Sequence, residues 1–300
     1  MERHRGGKEV MFTSGEPLMN RHFLRYVAWA KELGFDTIGV ISNGRLFAYP
    51  RFAERALQAG LNHIVVSVHG KDQKHHDRQT RTVSSYAQTI VGLRALARLK
   101  NHFDFRLHTS TVVNKKNYEE LYEIWLSLQG LGIDQFVFNV IQPVGRANVN
   151  FDKLVPRFSD IAAAFSRFLE RVGERPTQIF LLDMPYCATE GLPDRVRGFV
   201  ERYQYYEHED GLDDALEWSH DEGRGDELQL PGKDSHGERR ELKRLTRKRL
   251  DETRKSKREA CLSCRHEPSC DGVWNRYLDA HGWDEFQPVP AEPAPDGREI

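Results

Sequence analysis

Two groups of residues in this sequence could do chemistry. The first centres on Glu16 in the stretch VMFTSGEPL (residues 10–18), where an apolar run meets a flexible Gly15 and a rigid Pro17. A carboxylate on such a bend cannot be buried bare, because desolvating it unpaired costs several kcal/mol or more. It needs a cation or several N–H donors. That leaves two readings: a cap for the helix that follows, or an anion that meets the positive charge of a ligand. The second group is the four cysteines. Cys261, Cys264 and Cys270 have the spacing C-x2-C-x5-C, and Cys187 lies upstream in MPYCATEG. Thiolates two residues apart can grip one metal centre, and a third a few residues on completes most of its coordination. With Cys187 as the fourth ligand, no cysteine is left over. Spacing alone suits structural zinc as well as an iron–sulfur cluster.

Composition narrows the setting. Charged residues make up 30% of the 300 and hydrophobic ones 39%, and no stretch approaches the roughly 20 apolar residues that cross a bilayer. The opening MERHRGGKEV is basic but has no apolar core of a secretion signal, so a cytoplasmic protein without a membrane partner is expected. Disulfides are disfavoured there. A net charge of −1 gives no overall pull toward nucleic acid. Locally the charge is uneven: residues 207–227 hold ten acidic residues against one basic, and 239–258 hold eleven basic against three acidic. Such runs read as a solvated linker or exposed helix, and a nucleic-acid grip is disfavoured because the two could pair with each other. His69, His75 and His76 read as a solvated polar loop rather than a metal site.

Something must position these residues. The short β-rich runs EVMFT, TIGVIS, HIVVSVH, FRLHTSTVV, QFVFNVIQP and TQIFLLDMP alternate with helical patterns, the rhythm of repeated βα units. A first helix is expected from about Asn20, as cap, to Gly34, with Phe23, Val27 and Ala30 on its buried stripe. A second is opened by Pro50 and closed by Gly60. Two more begin at the Ser of SSYAQTIVGLRALARLK and the Asn of NYEELYEIWLSLQGLG. Parallel strands with right-handed crossovers form either an open doubly wound sheet or a barrel. In both, ligands bind at the strand carboxyl ends, and there TSGEP, SNGR, SVHG, STVVNKKN and NVIQPVGRAN collect.

Taken in order, TSGEPL, then ISNG about thirty residues on, then VVSVHG and HDR, resemble the motif set of the radical S-adenosylmethionine (radical SAM) enzymes. In that family a Gly-Gly-Glu-Pro stretch after the second barrel strand binds the amino group of the cofactor's methionine half. Here Ser14 stands for the first glycine, while Gly15, Glu16 and Pro17 match. A carboxylate facing a primary ammonium makes a charge-assisted hydrogen bond. Asn43 and Gly44, with Ser42 before them, are similar to the family's Thr-Asn-Gly. Ser67 matches a position that helps hold the ribose or the methionine carboxylate. VVNKKN and QPVGRA fit as well, so the resemblance spans roughly residues 9 to 146. It implies a partial (β/α)6 radical SAM barrel, an α/β fold, lacking its first strand, with a small cysteine-rich C-terminal extension. It also tips the cysteines toward an auxiliary [4Fe-4S] cluster, because CLSCRHEPSCDGVWNRYLDAHGWDEFQPV looks like an extension of the SPASM or twitch type with an incomplete cysteine set.

One departure matters. Family members hold a catalytic [4Fe-4S] cluster on C-x3-C-x2-C after the first strand, and this sequence has no such triplet. The chain opens about where the second strand is due, so the expectation is that DNA upstream of Met1 encodes the missing strand and cluster loop together. The expected layout is a radical SAM core at 1–185, a charged connector at 186–258 and the cysteine-rich region at 259–300. Restored, such a protein would cleave S-adenosylmethionine reductively to a 5'-deoxyadenosyl radical that abstracts hydrogen from a peptide or small-molecule substrate. A flavodoxin- or ferredoxin-like protein would supply the electron. The competing reading is a degenerate, non-catalytic scaffold with a zinc-stapled tail. An ordinary phosphate-binding βα barrel ranks last, since no glycine-rich phosphate loop occurs late in the chain.

Overall fold

The computed structural model describes residues 8–174, 178–190, 192 and 254–290. They fall into two compact units, one running to Met184 and the other combining Pro185–Glu190 with the chain beyond Arg197. The acidic run at 207–227 and most of the basic run lie outside the described residues.

The first unit is built on six strands: β1 (Glu9–Phe12), β2 (Thr37–Ser42), β3 (His63–Ser67), β4 (Arg106–Val113), β5 (Gln135–Val140) and β6 (Gln178–Leu182). All pair in parallel and stand in sequence order across one sheet. The order never reverses, so right-handed crossovers place every connecting helix on the same face. This is the singly wound, barrel-type arrangement, and the doubly wound alternative fails. Among the described residues β1 is an open edge of the sheet.

Alternation sorts the strand residues onto two faces. Ile38, Val40, Ile64, Val66, Leu107, Phe138 and Leu181 are almost fully enclosed, and Phe138 meets Phe165 and Phe168 edge-on at 5.9 and 5.2 Å. The opposite face is polar and carries His63, Ser67, His108, Ser110 and Asn139. A ligand surface is thus the unhelical side of the sheet, and the helical side is the core.

The helices on that core are α1 (Phe23–Glu32), α2 (Pro50–Ala59), α3 (Gln73–Thr80), α4 (Ser85–Leu99), α5 (Leu121–Leu128), the single turns α6 (Arg146–Val149) and α7 (Phe151–Leu154), and α8 (Phe158–Val172). Phe23, Val27 and Ala30 are buried on α1 as their spacing predicts. Asn20 caps the turn before α1 rather than the helix, its Oδ1 accepting the His22 N–H at 2.9 Å. Gly60 closes α2 in the left-handed conformation at φ +119°. The cap of α4 is not Ser84 but the distant Asp77, whose carboxylate accepts from Ser84 N–H (2.6 Å), Tyr86 N–H (2.9 Å) and Ser85 Oγ (2.8 Å). Asn117 opens a 3-10 turn ahead of α5, and its Oδ1 accepts from Asn114 N–H at 2.8 Å. Sequence analysis does not single out α8, although Phe158, Ile161, Phe165, Phe168 and Val172 repeat at helical spacing and are all buried.

In the second unit β7 (Lys255–Ser256) pairs antiparallel with β8 (Val273–Trp274), followed by α9 (Asn275–His281). Short 3-10 turns at Tyr186–Thr189, Glu259–Ser263 and Glu267–Ser269 carry or border the cysteines. Among the described residues of this unit, Val273, Trp274, Tyr277, Phe286 and Val289 supply most of the apolar core.

Candidate functional site

At the carboxyl end of β1 the chain turns through two consecutive left-handed residues, Ser14 (φ +73°) and Gly15 (φ +59°). The glycine is required by its backbone angle and not by space, since a Cβ there would touch nothing within 4 Å. Serine in that region is uncommon and costs roughly 1–2 kcal/mol, a local strain of the kind that collects at ligand sites. The turn delivers Glu16 to the neighbouring strand end. Its Oε1 accepts from Ser42 Oγ at 2.7 Å and from Leu18 N–H at 3.2 Å, and its Oε2 accepts from Asn43 N–H at 2.8 Å.

Ser42 and Asn43 are held in turn. Ser42 Oγ accepts from Gly44 N–H at 2.9 Å, Asn43 Oδ1 from Arg45 N–H at 3.0 Å, and the Asn43 carbonyl from Thr89 Oγ1 on α4 at 2.8 Å. Gly92 lets α4 come this close: a Cβ on it would stand 2.3 Å from the Gly44 carbonyl oxygen. The result is a shelf in which Glu16, Ser42 and Asn43 are one hydrogen-bonded unit and Pro17 starts the 3-10 turn Pro17–Met19. Ser67 ends β3 on the next strand over, in register with Ser110 of β4. Both readings of Glu16 have a physical basis here. It does cap a turn, yet an ionised carboxylate offers about four acceptor positions and three donors fill three of them.

The histidine loop is not a solvated one. His76 is only 2% exposed. Val112 N–H donates to His69 Nδ1 at 3.2 Å, and His69 N–H donates to His76 Nδ1 at 3.1 Å. Burial lowers both pKa values to about 4, so these rings are neutral structural acceptors near neutral pH. Acceptance at Nδ1 places the proton of each on Nε2. Only His75 keeps an outward ion-pair character, toward Asp72 at 2.6 Å. Sequence analysis also misses the polar row on the open face of the sheet, where Asn139 Nδ2 donates to Ser110 Oγ at 2.7 Å and His63 Nε2 lies 3.0 Å from His108 Nδ1. The signal was present as polar residues alternating within FRLHTSTVV and QFVFNV.

In the second unit Cys187, Cys261, Cys264 and Cys270 line one cavity together with Tyr186, Lys257, His266, Glu267, Trp283 and Phe286. The 3-10 turn Glu259–Ser263 brings Cys261 and Cys264 to it, and the Cys264 N–H donates to the Cys261 carbonyl at 3.0 Å. Two sulfurs receive backbone donors: Gly272 N–H to Cys270 Sγ at 3.3 Å and Val289 N–H to Cys264 Sγ at 3.4 Å. Burial, followed by the other three sulfurs, pushes the Cys187 thiol up to about 12, and burial raises Cys270 as well. A cation among four such groups reverses that sign and deprotonates them. Among the described residues no three His, Cys, Asp or Glu side chains converge on a single ion. Trp274 and Tyr277 are buried at 7% and 0% exposure and are not among the cavity-lining residues. The aromatic lining is instead Tyr186, stacked on His266 at 4.8 Å, with Trp283 and Phe286.

Comparison with known proteins agrees with this geometry. Residues 1–126 match the family model described as the Radical SAM superfamily. The chain is 27% identical over 151 residues to a Saccharolobus solfataricus protein named "Probable GTP 3',8-cyclase", covering 49% of this chain and 46% of that one. It is 25% identical over 143 residues to the "AdoMet-dependent heme synthase" of Methanosarcina barkeri, covering 47% of this chain and 39% of the relative. The chain thus spans about half the length, or less, of these curated relatives. The crystal structure of Streptococcus suis SuiB bound to S-adenosylmethionine aligns with a TM-score of 0.45 at 14% identity, over 58% of this chain and 38% of SuiB. The match of residues 1–126 to that family model, together with the ordered motifs, makes the first unit of this chain similar to the radical SAM superfamily.

Proposed function

We propose that this chain is the S-adenosylmethionine-binding and auxiliary-cluster portion of a radical SAM enzyme acting on a peptide or small-molecule substrate. The observation that carries the reading is the Glu16 shelf, where one carboxylate is fixed by Ser42, Leu18 and Asn43 with an acceptor position to spare. Glu16 would take the ammonium of the methionine half, and the Ser14–Gly15 bend, Pro17, Asn43 and Ser67 would complete the cradle. Bound S-adenosylmethionine supplies, on one-electron reduction, a 5'-deoxyadenosyl radical that removes a hydrogen atom from substrate. Ser110 and Asn139, in the carboxyl-terminal halves of β4 and β5, line the face where a substrate would sit. An electron-donor protein of the flavodoxin or ferredoxin kind would act as partner.

All four cysteines of the sequence lie in the second unit. The first unit therefore offers no ligands for a catalytic cluster, and no step is assigned to one here. For the tail, the donor set fits a [4Fe-4S] cluster: four half-buried thiols around one cavity, two with N–H donors on sulfur.

Equilibrium dialysis with S-adenosylmethionine tests the shelf. Charge-assisted hydrogen bonds contribute roughly 1.5–3 kcal/mol, so Glu16→Ala should weaken binding about ten- to a hundredfold. Glu16→Gln keeps an acceptor for Ser42 and should harm binding more than folding. Unchanged affinity in both variants would leave Glu16 as a turn cap and remove the cofactor reading.

A further inference from the structure

Lys257 borders the same cavity as the four cysteines, and its placement is built. It follows β7 directly, and β8 runs back against β7 from Gly272. That glycine has φ +90°, and a Cβ on it would stand 2.3 Å from the Ser256 carbonyl oxygen and 3.3 Å from Lys257 Cγ. Only glycine allows the Cys270–Gly272 turn to lie against β7, which brings the Gly272 N–H onto Cys270 Sγ and the lysine stem beside it. The far end of Lys257 is fixed as well. Its Nζ donates to the Glu267 carbonyl at 2.7 Å and to Glu267 Oε1 at 3.1 Å, on the turn between Cys264 and Cys270. Asp271, next to Cys270 in sequence, is paired with Lys255 at 3.2 Å, and Lys257 is itself offset by Glu267.

We propose that Lys257 is a positioning residue that holds a positive charge against the Cys270 side of the cluster and sets its reduction potential. The proposal rests on the iron–sulfur reading of the tail. A cluster gains one negative charge when it accepts an electron, and a fixed cation near a sulfur ligand favours that state. Lys257 is exposed, and what fixes its charge is the pair of bonds from its tip to Glu267. The lysine thereby makes this centre an easier electron acceptor than the four thiolates alone would.

The test is an anaerobic redox titration, followed by electron paramagnetic resonance, of the reconstituted chain and of K257M and K257R. The potential of K257M should shift negative, and that of K257R should stay near the parent. Should K257M fail to retain its cluster, E267Q decides: loss of the acidic partner should shift the potential positive. An unchanged potential in K257M, or in E267Q where that variant decides, overturns the role of the lysine while leaving the cluster intact. A parent chain that takes up zinc and no iron overturns the iron–sulfur reading instead.

Discussion

The two candidate sites are held together in opposite ways. The Glu16 shelf is complete without a ligand: its carboxylate, the Ser42 hydroxyl and the Asn43 and Gly44 amides satisfy one another, and α4 buttresses them through Thr89. The cysteine cavity is the reverse. Its thiols are half-buried, two of them with raised pKa values, and among the described residues of their unit few side chains are enclosed. A shelf of this kind can be preorganised by the fold, whereas on the proposed reading the cavity takes part of its folding energy from the cluster it would bind. The lesson is that the same chain should respond to perturbation in two separate ways.

The largest expected effect follows directly. Structural metal centres contribute roughly 10 kcal/mol or more to small domains, so chelation should abolish order in residues 254–290 while the parallel sheet persists. Hydrogen exchange with mass spectrometry reads both at once: amides of β7, β8 and α9 should lose protection and those of β3 to β5 should not. Equal loss in both units would erase the contrast. A smaller effect is expected at the buttress of the shelf. Gly92→Ala forces a Cβ against the Gly44 carbonyl, and overpacking of this sort costs about 1–3 kcal/mol. Chemical denaturation should show that loss in the first unit, with the cysteine cavity still able to bind its metal.

The most graded effect is with pH. His63, His69, His76 and His108 have pKa values lowered from 6.5 to about 4, burial being the main cause. Between those values the unfolded chain binds more protons than the folded one, so stability is full above about pH 6.5 and falls as pH drops toward 4. His63 and His108 titrate as a pair, since their rings face each other at 4.6 Å. Thermal unfolding of the parallel-sheet unit should track this decline, and His108→Asn should flatten it. A midpoint independent of pH across that window would mean the rings are more open to water than the fold implies.

How much of this was legible in the sequence depends on whether the signal is local. All six strands and the left-handed closure at Gly60 were, because alternation and a Pro-to-Gly bracket depend on nearby residues alone. Glu16 was legible as a residue needing donors, but not which ones: Ser42 and Asn43 lie 26 and 27 positions away. For the same reason the cap of α4 was misassigned, since Asp77 reaches it from outside the helix. The histidine loop misled because polar composition suggests solvent, whereas backbone donors such as Val112 N–H satisfy a ring that is enclosed. In the tail the spacing C-x2-C-x5-C was plain, but the lining was not. Tyr186 reaches the cavity from a part of the chain distant in sequence, and Trp283 from beyond α9.

The most direct test of the account is anaerobic reconstitution of the chain with iron and sulfide, followed by metal and sulfide analysis and absorption spectroscopy, alongside Cys187→Ser, Cys261→Ser, Cys264→Ser and Cys270→Ser. The account predicts iron and acid-labile sulfide in the proportion of one [4Fe-4S] cluster per chain, with a visible chromophore weakened or lost in each variant. One tightly held zinc with no chromophore, or a cluster indifferent to Cys187, would contradict it.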